Sequence, residues 1–514
     1  MRHGTRIGRS VVLNWIALAV SIGVAFFLSP YVVHRLGNIG YGIWTLVNSM
    51  IAYMSLLDLG LRGAVTRFVS RYHAQGEHLE SSRALSAALW FRFGVALLVI
   101  VSTLTLSRVV LSTFHIPPEM QKATQWTIVV TGTSFAITMV FGVFGGVLAA
   151  LHRFDLLSGV TVFQTLLRAS GIVWLLKSGH GILGLAFWEL FVVALANITV
   201  TTLALRVYPE LHIIFRRPGS AMVRKLWGYS SFVVLFNICA QVIYYTDNIV
   251  VGAFVSAGAV TFFTIAGGLL EYARQAVSAL GNVLFPLASS LDVQGRQDEL
   301  RRLLIQGTQA TLLISLPIQV ALFFRGHTFI SLWVGDDYAA ISGRVLHILL
   351  IAHAFAIANY TSYNIVCGLG KHRPVAMIAT VEAAANLVLS VILVRRIGLE
   401  GVAWGTVIPS LALQLFFWPP YISKVLKVPV RKYVCDGWLR SGVAVTPFAF
   451  ACYVADYAWK ATGMLHFFIQ MIVLLPALLL GVIVCFSKQL SDQIRRQPRF
   501  VRHWDAALQL VRRA

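Results

Sequence analysis

The amino-acid sequence predicts an all-α integral membrane protein with about 14 transmembrane helices. Apolar runs of about twenty residues recur along the whole chain, and each is long enough to cross ~30 Å of hydrocarbon as a helix. Only 12% of the 514 residues are charged, whereas 58% are hydrophobic. Soluble domains carry about twice that charged fraction. Basic residues also collect in alternate loops, which is typical of a multi-pass membrane protein.

The first apolar run resembles a signal peptide at its start, because Arg2, Arg6 and Arg9 precede it. It continues from Val11 to Val33, which is longer than a secretory apolar region, and it contains no small-residue cleavage site. We therefore interpret it as a span. The predicted spans are Val11–Pro30, Tyr41–Gly60, Ala84–Ser107, Thr124–Leu151, Leu156–Leu176, Leu183–Leu205, Tyr229–Phe254, Val260–Ala288, Leu303–Phe324, Val345–Leu369, Val375–Val394, Val402–Ile422, Gly442–Tyr457 and Phe467–Phe486.

The net charge of +22 at pH 7 is explained by the membrane, and no nucleic-acid partner is predicted. When the loops are assigned alternately to two sides, the Lys and Arg residues divide roughly three to one, and the richer side, with both termini, is cytoplasmic. Its basic residues are expected to contact anionic inner-leaflet lipids. Near the C-terminus, Phe500, Trp504 and Leu508 recur at helical spacing between arginines. This pattern favours an amphipathic helix on the inner leaflet over a solvated helix.

The chain matches itself weakly at an offset of about 220 residues. Gly181–Phe187 aligns with Gly398–Trp404, and Ala150–Arg153 aligns with Gly368–Lys371. The period covers six spans, so the two halves share one orientation, and two such lobes with a cleft between them suit alternating access. The predicted regions are an N-terminal six-helix lobe (1–210), a parallel C-terminal six-helix lobe (211–428), two additional transmembrane helices (429–487) and a cytoplasmic amphipathic basic tail (488–514).

The residue types that usually hold metals do not occur in a metal-like pattern. The five cysteines lie within or at the edges of apolar runs, and the 14 histidines are scattered, mostly at loop ends. We interpret the cysteines as small core hydrophobes and the histidines as interfacial side chains. No metal site and no cofactor are therefore predicted.

Several short motifs follow one another in a fixed order along residues ~10 to ~425. They are Gly40–Trp44, Leu57–Leu61, Thr66–Phe68, Asp247–Gly252, Trp333–Gly335, Gly368–Lys371, and Glu382 with Asn386 ahead of Gly398–Ala403. Together with the repeat and the span count, they resemble the Wzx-type polysaccharide flippases of the multidrug/oligosaccharidyl-lipid/polysaccharide exporter superfamily.

The resemblance implies a function and a set of partners. A protein of this family translocates an undecaprenyl-pyrophosphate-linked oligosaccharide repeat unit across the bacterial inner membrane, for O-antigen, capsule or exopolysaccharide biosynthesis. The expected substrate is thus a lipid-linked oligosaccharide, and a polysaccharide polymerase and a chain-length regulator are further candidate partners. The motifs carry no information about which glycan is moved.

Two arginines lie near the middle of predicted spans, where a charge costs about 2.5–3.5 kcal/mol and usually faces a cavity or a partner. Gln164 precedes Arg168 by one turn, and Glu271 precedes Arg274 by three residues. A guanidinium suits a pyrophosphate, so we predict that Arg168, Arg274 and Gln164 bind substrate, with both arginines facing one diphosphate across the cleft. The alternatives are an ion pair with Glu271 for Arg274, and for Arg168 hydrogen bonds to helix carbonyls or snorkelling.

Asp58, Asp247 and Glu382 occupy motif positions, and with Glu271 they are the candidates for coupling or gating. Each could bind a coupling cation or relay protons, or it could cap helices and lock their contacts. Nearby loops and amides favour the structural role for Asp58 and Asp247, whereas both roles stay open for Glu382. Arg92 lies nearer the end of its helix and is expected to snorkel.

Two other functions compete with the flippase. A multidrug or cation antiporter of the same superfamily would need an acidic cavity, whereas arginines at mid-span repel organic cations. A membrane-embedded polysaccharide polymerase or ligase would need a sizeable external loop. The longest outer connection, from Arg325 to Arg344, has only about twenty residues, and the sequence contains no acid pair or nucleophile motif. The protein is therefore predicted not to be an enzyme.

The predicted topology can be tested with reporter fusions. Because the basic loops alternate, fusions after Arg217 and after Lys432 are expected to report a cytoplasmic location, and fusions near Lys177 and Asp336 an external one. Paired phosphatase and fluorescent-protein reporters measure this directly. A cytoplasmic signal at Asp336 would contradict the order of the spans.

Overall fold

The computed structural model describes residues 2–58, 61–114, 116–214 and 231–496, and within these ranges the chain forms helices and no strand. The helices are α1 (Arg2–Tyr53), α2 (Leu61–Ala74), α3 (His78–Thr113), α4 (Pro118–Phe141), α5 (Val143–Ala150), α6 (Phe154–Lys177), α7 (Ile182–Val207), α8 (Ser231–Phe254), α9 (Ala257–Val293), α10 (Gln297–Val334), α11 (Asp336–Ala358), α12 (Tyr360–Gly368), α13 (His372–Ile397), α14 (Leu399–Ala412), α15 (Trp418–Leu426), α16 (Arg440–Ala458) and α17 (Met464–Arg496). Shorter elements are the 3₁₀ helix Met54–Asp58, the turn Val430–Lys432, and the π-helical segments Leu413–Phe417 and Tyr433–Leu439.

The prediction of an all-α membrane protein is confirmed. In the described residues, 11 helices are long and apolar enough to cross a membrane, and Ile238–Phe254 is a shorter apolar helix. Each of the predicted spans overlaps one or more of the helices α1 to α17, and the span ends at residues 59–60 and 229–230 lie outside the described residues. In the hydrocarbon region only intrahelical hydrogen bonds can satisfy the backbone, which is why the apolar runs fold in this way. The count of 14 stays a prediction.

Three breaks divide long apolar runs at identifiable residues. Gly37 adopts the left-handed conformation (φ 68°) and splits α1 into the first two predicted spans; this conformation favours glycine. Gly142 separates α4 from α5, and Asn359 separates α11 from α12. At this last break the Asn359 amide donates to Gln414, and its oxygen accepts from the hydroxyl of Tyr433 (3.2 Å). Both the amide nitrogen and the amide oxygen of the Asn359 side chain are thus hydrogen-bonded.

The chain divides into two compact units. The first comprises Met1–Gly268 and His372–Pro409. Its apolar core includes one cluster around Ile43, Leu46 and Ile128 and another around Leu85, Phe144 and Tyr208. This unit contains the whole of helices α1 to α8 and α13. Burial of such aliphatic and aromatic side chains against one another holds the helices of this unit in place.

The second unit comprises Leu269–Lys371 and Ser410–Ala514. In its core, Val277, Leu312 and Ile357 pack together, and the last two helices pack on α10 through a cluster that includes Phe448 and Cys452. These units are defined by packing, whereas the predicted lobes were defined by sequence repetition. The lobe limits at residues 210 and 428 therefore stay a prediction. The amphipathic positions of the predicted tail lie beyond Arg496, outside the described residues.

Candidate functional site

Arg168 of α6 is paired with Glu189 of α7. Nε of Arg168 donates to Oε2 of Glu189 at 2.7 Å, and Nη2 donates to Oε1 at 2.6 Å. This two-pronged geometry is the strongest kind of contact between a guanidinium and a carboxylate. Neither the carbonyl bonds nor the snorkelling considered from the sequence is what the structure shows for Arg168. Its charge is neutralised inside the membrane by an acid from the next helix.

A small residue brings these two helices together. Gly171 is buried against the indole ring of Trp188, which a Cβ at that position would overlap. Nε1 of the same indole donates to the backbone oxygen of Leu167 at 3.2 Å. This contact fixes α7 against α6 immediately beside Glu189, so the packing of Trp188 on Gly171 determines where the carboxylate lies.

The sequence contained a signal for Glu189 that the interpretation missed. It is an acid about two turns into the antiparallel neighbour of the helix that carries Arg168, and intramembrane charges commonly pair in this way. Gln164 lies one turn before Arg168 on the same face of α6 and is partly exposed. The apolar side chains Phe163 and Trp174 of the same helix are exposed and lie at other angular positions around it.

Arg274 of α9 is paired with Glu271 on its own helix. Both hydrogen bonds, from Nε and Nη2 of Arg274, are 2.6 Å long. The carboxylate also accepts a hydrogen bond from Nε2 of Gln275 at 3.0 Å. The structure therefore contains the local ion pair that was considered as the alternative for Arg274. A role in substrate binding requires that this pair opens.

His353 of α11 completes this group in the second unit. Its imidazole lies close enough to Arg274 and Glu271 to interact electrostatically with both. Both ring nitrogens are buried, and neither has a hydrogen-bond partner in the part of the chain that the structure describes. An unpaired buried donor or acceptor costs about 1–3 kcal/mol, so a polar ligand or a rearranged side chain at this position would be stabilised.

Asp247 of α8 belongs to a buried network in the first unit. Its side chain is 6% exposed, and Oδ2 accepts a hydrogen bond from Oγ1 of Thr406 on α14 at 2.7 Å. That hydroxyl in turn accepts from Nδ2 of Asn386 on α13 at 2.8 Å. Oδ1 of Asp247 and Oδ1 of Asn386 are buried without a partner among the described residues. The arrangement ties three helices together and presents oxygen atoms of the kind that hard cations or a proton bind.

The same helix carries three further polar contacts with the N-terminal region. Asn248 donates to Ser49 of α1 at 3.0 Å, and Gln241 donates to Ser55 of the 3₁₀ helix at 2.7 Å. Thr246 shares a hydrogen bond with Tyr53. These contacts make α8 a polar centre of the first unit. These contacts fit the structural role that the sequence favoured for Asp247. That role stays a prediction.

For Glu382 and Asp58, the two remaining candidate acids, the structure gives fewer details of the side chain. Glu382 lies on α13 one turn before Asn386 and is partly exposed. The 3₁₀ helix ends at Asp58, whose side chain lies outside the described part of the molecule. Coupling or gating by Asp58, Asp247, Glu271 and Glu382 stays a prediction.

The expectation for Arg92 is wrong. The side chain is 3% exposed and does not snorkel. Its Nη1 donates to the backbone oxygen of Met139 at 2.6 Å. Met139 lies in the last turn of α4, where the helix breaks at Gly142 and backbone carbonyls lose regular partners. Arg92 is buried because it satisfies the end of a neighbouring helix.

Apolar helices and the paired charges within them define a multi-pass membrane protein. A family model described as "Polysaccharide biosynthesis protein" matches residues 32–343. This match covers more than half of the chain, and the chain belongs to that polysaccharide biosynthesis family. The resemblance drawn from the short motifs is thereby confirmed.

Individual proteins are similar over most of their length. A Shigella flexneri protein named an O-antigen transporter is 22% identical over 80% of this chain and 97% of its own. A Haloferax volcanii protein named the low-salt glycan biosynthesis flippase Agl15 is 22% identical over 84% of this chain and 86% of its own. The solved structure of the lipid II flippase MurJ in an inward closed conformation has a TM-score of 0.73 at 15% identity, covering 93% and 100% of the two chains. That likeness establishes the fold.

The network around Asp247 generates a prediction about stability. Thr406→Val removes the hydroxyl that links Asp247 to Asn386, and it leaves a buried carboxylate and a buried amide without their partner. We expect a loss of about 1–3 kcal/mol, measured as a lower midpoint of thermal unfolding of the purified protein in detergent. Thr202→Val is the matched control, because the Thr202 hydroxyl is exposed and its one bond within the described residues is to Ile198 on its own helix. Equal midpoints for the two variants would show that the network does not stabilise the fold.

Proposed function

We propose that this protein is a flippase that moves an undecaprenyl-pyrophosphate-linked oligosaccharide repeat unit across the bacterial inner membrane by alternating access. The export serves the biosynthesis of a surface polysaccharide such as O-antigen, capsule or exopolysaccharide. The observation that carries the proposal is family membership together with relatives named as O-antigen transporter and glycan flippase, aligned over at least four-fifths of both chains.

The arginine pairs support this choice of substrate. Each unit holds one mid-helix guanidinium in two-pronged contact with a carboxylate, and the same edge of a guanidinium binds two phosphate oxygens. The lipid tail can remain in the bilayer, so only the headgroup and the sugars need a polar path. We therefore propose Arg168, with Gln164 nearby, and Arg274 as ligands of the pyrophosphate. Contact of one diphosphate with both arginines stays a prediction.

The cation antiporter is less well supported. An antiporter for organic cations needs carboxylates that are free to neutralise the cargo. The acids Glu189 and Glu271 are each paired with an arginine, and Asp247 is held in a hydrogen-bonded network. The relatives are named transporters and flippases, which supports a protein without catalytic activity over a polymerase or ligase.

The proposal also includes location and partners. We place the protein in the inner membrane with both termini in the cytoplasm, where basic loops contact anionic lipids. A polysaccharide polymerase and a chain-length regulator are the proposed protein partners, because the exported repeat unit must be joined to others after it crosses the membrane.

Deletion of the gene tests the function. We expect one surface polysaccharide to disappear while its lipid-linked repeat unit still forms and accumulates on the cytoplasmic side. Gel analysis of the polysaccharide and extraction of the lipid-linked intermediate measure the two outcomes. Polymer that persists unchanged in a strain without a second flippase contradicts the proposal, and altered drug sensitivity with normal polymer favours the antiporter.

Substitution of the two arginines tests their role as ligands. Arg168→Ala and Arg274→Ala are each expected to lower polysaccharide export at least about tenfold, the effect of losing ~1.4 kcal/mol of binding, without loss of expression or membrane insertion. Arg→Lys keeps the charge and loses the two-pronged geometry, so we expect only partial export.

A double variant separates this role from a structural ion pair. If Arg274 serves only to neutralise Glu271, then Glu271→Gln combined with Arg274→Gln restores the export that either change alone removes. A ligand role predicts that the double variant is as inactive as Arg274→Gln. Full export by the double variant would remove Arg274 from the substrate site.

A further inference from the structure

The two mid-span arginines are held in the same chemical state although they belong to different units. In each, Nε and Nη2 form one edge of the guanidinium, and a single glutamate fills that edge with hydrogen bonds of 2.6–2.7 Å. Glu189 comes from the next helix, whereas Glu271 comes from one turn earlier on the same helix. Different local architectures thus produce one arrangement, in which the edge best suited to phosphate is already occupied.

Neither ion pair is sealed in the protein. Side chains of the first pair, Arg168 and Glu189, are 40% and 22% exposed, and those of the second, Arg274 and Glu271, are 38% and 37% exposed. Breaking an enclosed pair leaves an uncompensated buried charge, so a partly exposed pair opens more easily. An anion that reaches this exposed surface meets the guanidinium without unfolding of the surrounding helices.

The second unit also contains groups that can hold a carboxylate after it leaves its arginine. Nε2 of Gln275 already donates to Oε1 of Glu271 at 3.0 Å. His353, close to the same pair, has two buried ring nitrogens without a partner among the described residues. An imidazole N–H donates readily to a carboxylate or a phosphate oxygen. Gln275 is thus in place to keep its hydrogen bond to a displaced Glu271, and His353 lies within electrostatic range of the same pair. Both features lower the free energy of opening the pair.

We propose that Glu189 and Glu271 are placeholder ligands: each carboxylate occupies the guanidinium edge that the substrate pyrophosphate takes, and each is displaced when the pyrophosphate binds. This inference rests on the proposed function and adds Glu189 and Glu271 to the site. Gln275 and His353 are the donors proposed to hydrogen-bond the carboxylate of Glu271 after it is displaced. No covalent bond changes, because one anion replaces another at the arginine.

The placeholders set both affinity and selectivity. A site whose guanidinium is occupied nine-tenths of the time binds its ligand with an apparent affinity about tenfold weaker than the open site. A pyrophosphate carries more negative charge than a carboxylate and can use both nitrogens of the edge, so it competes well. Singly charged anions compete poorly. Removing the glutamate is therefore expected to tighten binding and to reduce this discrimination.

The test measures binding of inorganic pyrophosphate to the purified full-length protein in nanodiscs by isothermal titration calorimetry. Glu189→Gln and Glu271→Gln keep the size of the side chain and remove its charge. We expect each variant to bind pyrophosphate about tenfold more tightly than the unaltered protein. Glu189→Asp and Glu271→Asp keep the charge but shorten the side chain, and we expect a smaller gain. If a glutamine variant unfolds at a much lower temperature than the unaltered protein, the aspartate variants replace it in the binding measurement.

Glu80→Gln is the matched control, because Glu80 forms an i,i+3 pair with Arg83 like that of Glu271 with Arg274 but lies at the start of α3. Its affinity for pyrophosphate is expected to be unchanged. Adding Arg168→Ala to Glu189→Gln, or Arg274→Ala to Glu271→Gln, is expected to abolish the gain.

The outcomes separate this inference from the function on which it rests. If the glutamine variants bind no more tightly than the unaltered protein while the arginine variants lose binding, the glutamates are structural and the arginines remain ligands. If no form of the protein binds pyrophosphate, the inference is wrong, and the deletion experiment decides independently whether the protein is a flippase. A gain in Glu80→Gln equal to that in Glu271→Gln also overturns it, because the effect is then one of total charge.

Discussion

The structure depends on one constraint: within the hydrocarbon layer, the chain must satisfy its own polar groups. Helices do this for the backbone, which is why the described residues are nearly all helical. At helix breaks, side chains take over the task, as Arg92 does for the carbonyl of Met139 and as Tyr433 does for the carbonyl of Ala358. Charged groups follow the same rule, since the mid-span arginines are found with glutamates.

This constraint also explains how much could be predicted from sequence. The spans were located well because length and hydropathy alone decide whether a segment can cross a membrane, and these are properties of contiguous residues. The break at Gly142 was not located from the sequence, since the run from Thr124 to Leu151 contains no charged residue and no proline. Where a helix divides depends on the carbonyls that a distant residue such as Arg92 can satisfy, and this information is not local.

The candidate site was predicted only in part for the same reason. Arg168 and Arg274 stood out because a charge within an apolar run is visible in the sequence. The pairing of Arg274 with Glu271 was weighed as an alternative, since three residues separate them on one helix. The pairing of Arg168 with Glu189 was not foreseen, because it requires α6 and α7 to meet with Trp188 against Gly171. Ion-pair partners on one helix can be predicted from their spacing in the sequence. Ion-pair partners on two helices can be identified only when the packing of those helices is known.

The ion pairs fit the cycle of an alternating-access transporter, which must return empty after each delivery. An uncompensated arginine at mid-membrane costs about 2.5–3.5 kcal/mol on insertion scales, and two of them would oppose the empty return step. With the glutamates in place, the empty protein carries neutral pairs at these positions. When the proposed pyrophosphate is bound, its oxygens compensate the arginines instead, and donors such as Gln275 receive the carboxylate. Both halves of the cycle then proceed with the guanidinium charge satisfied, and the glutamates serve the half in which no substrate is present.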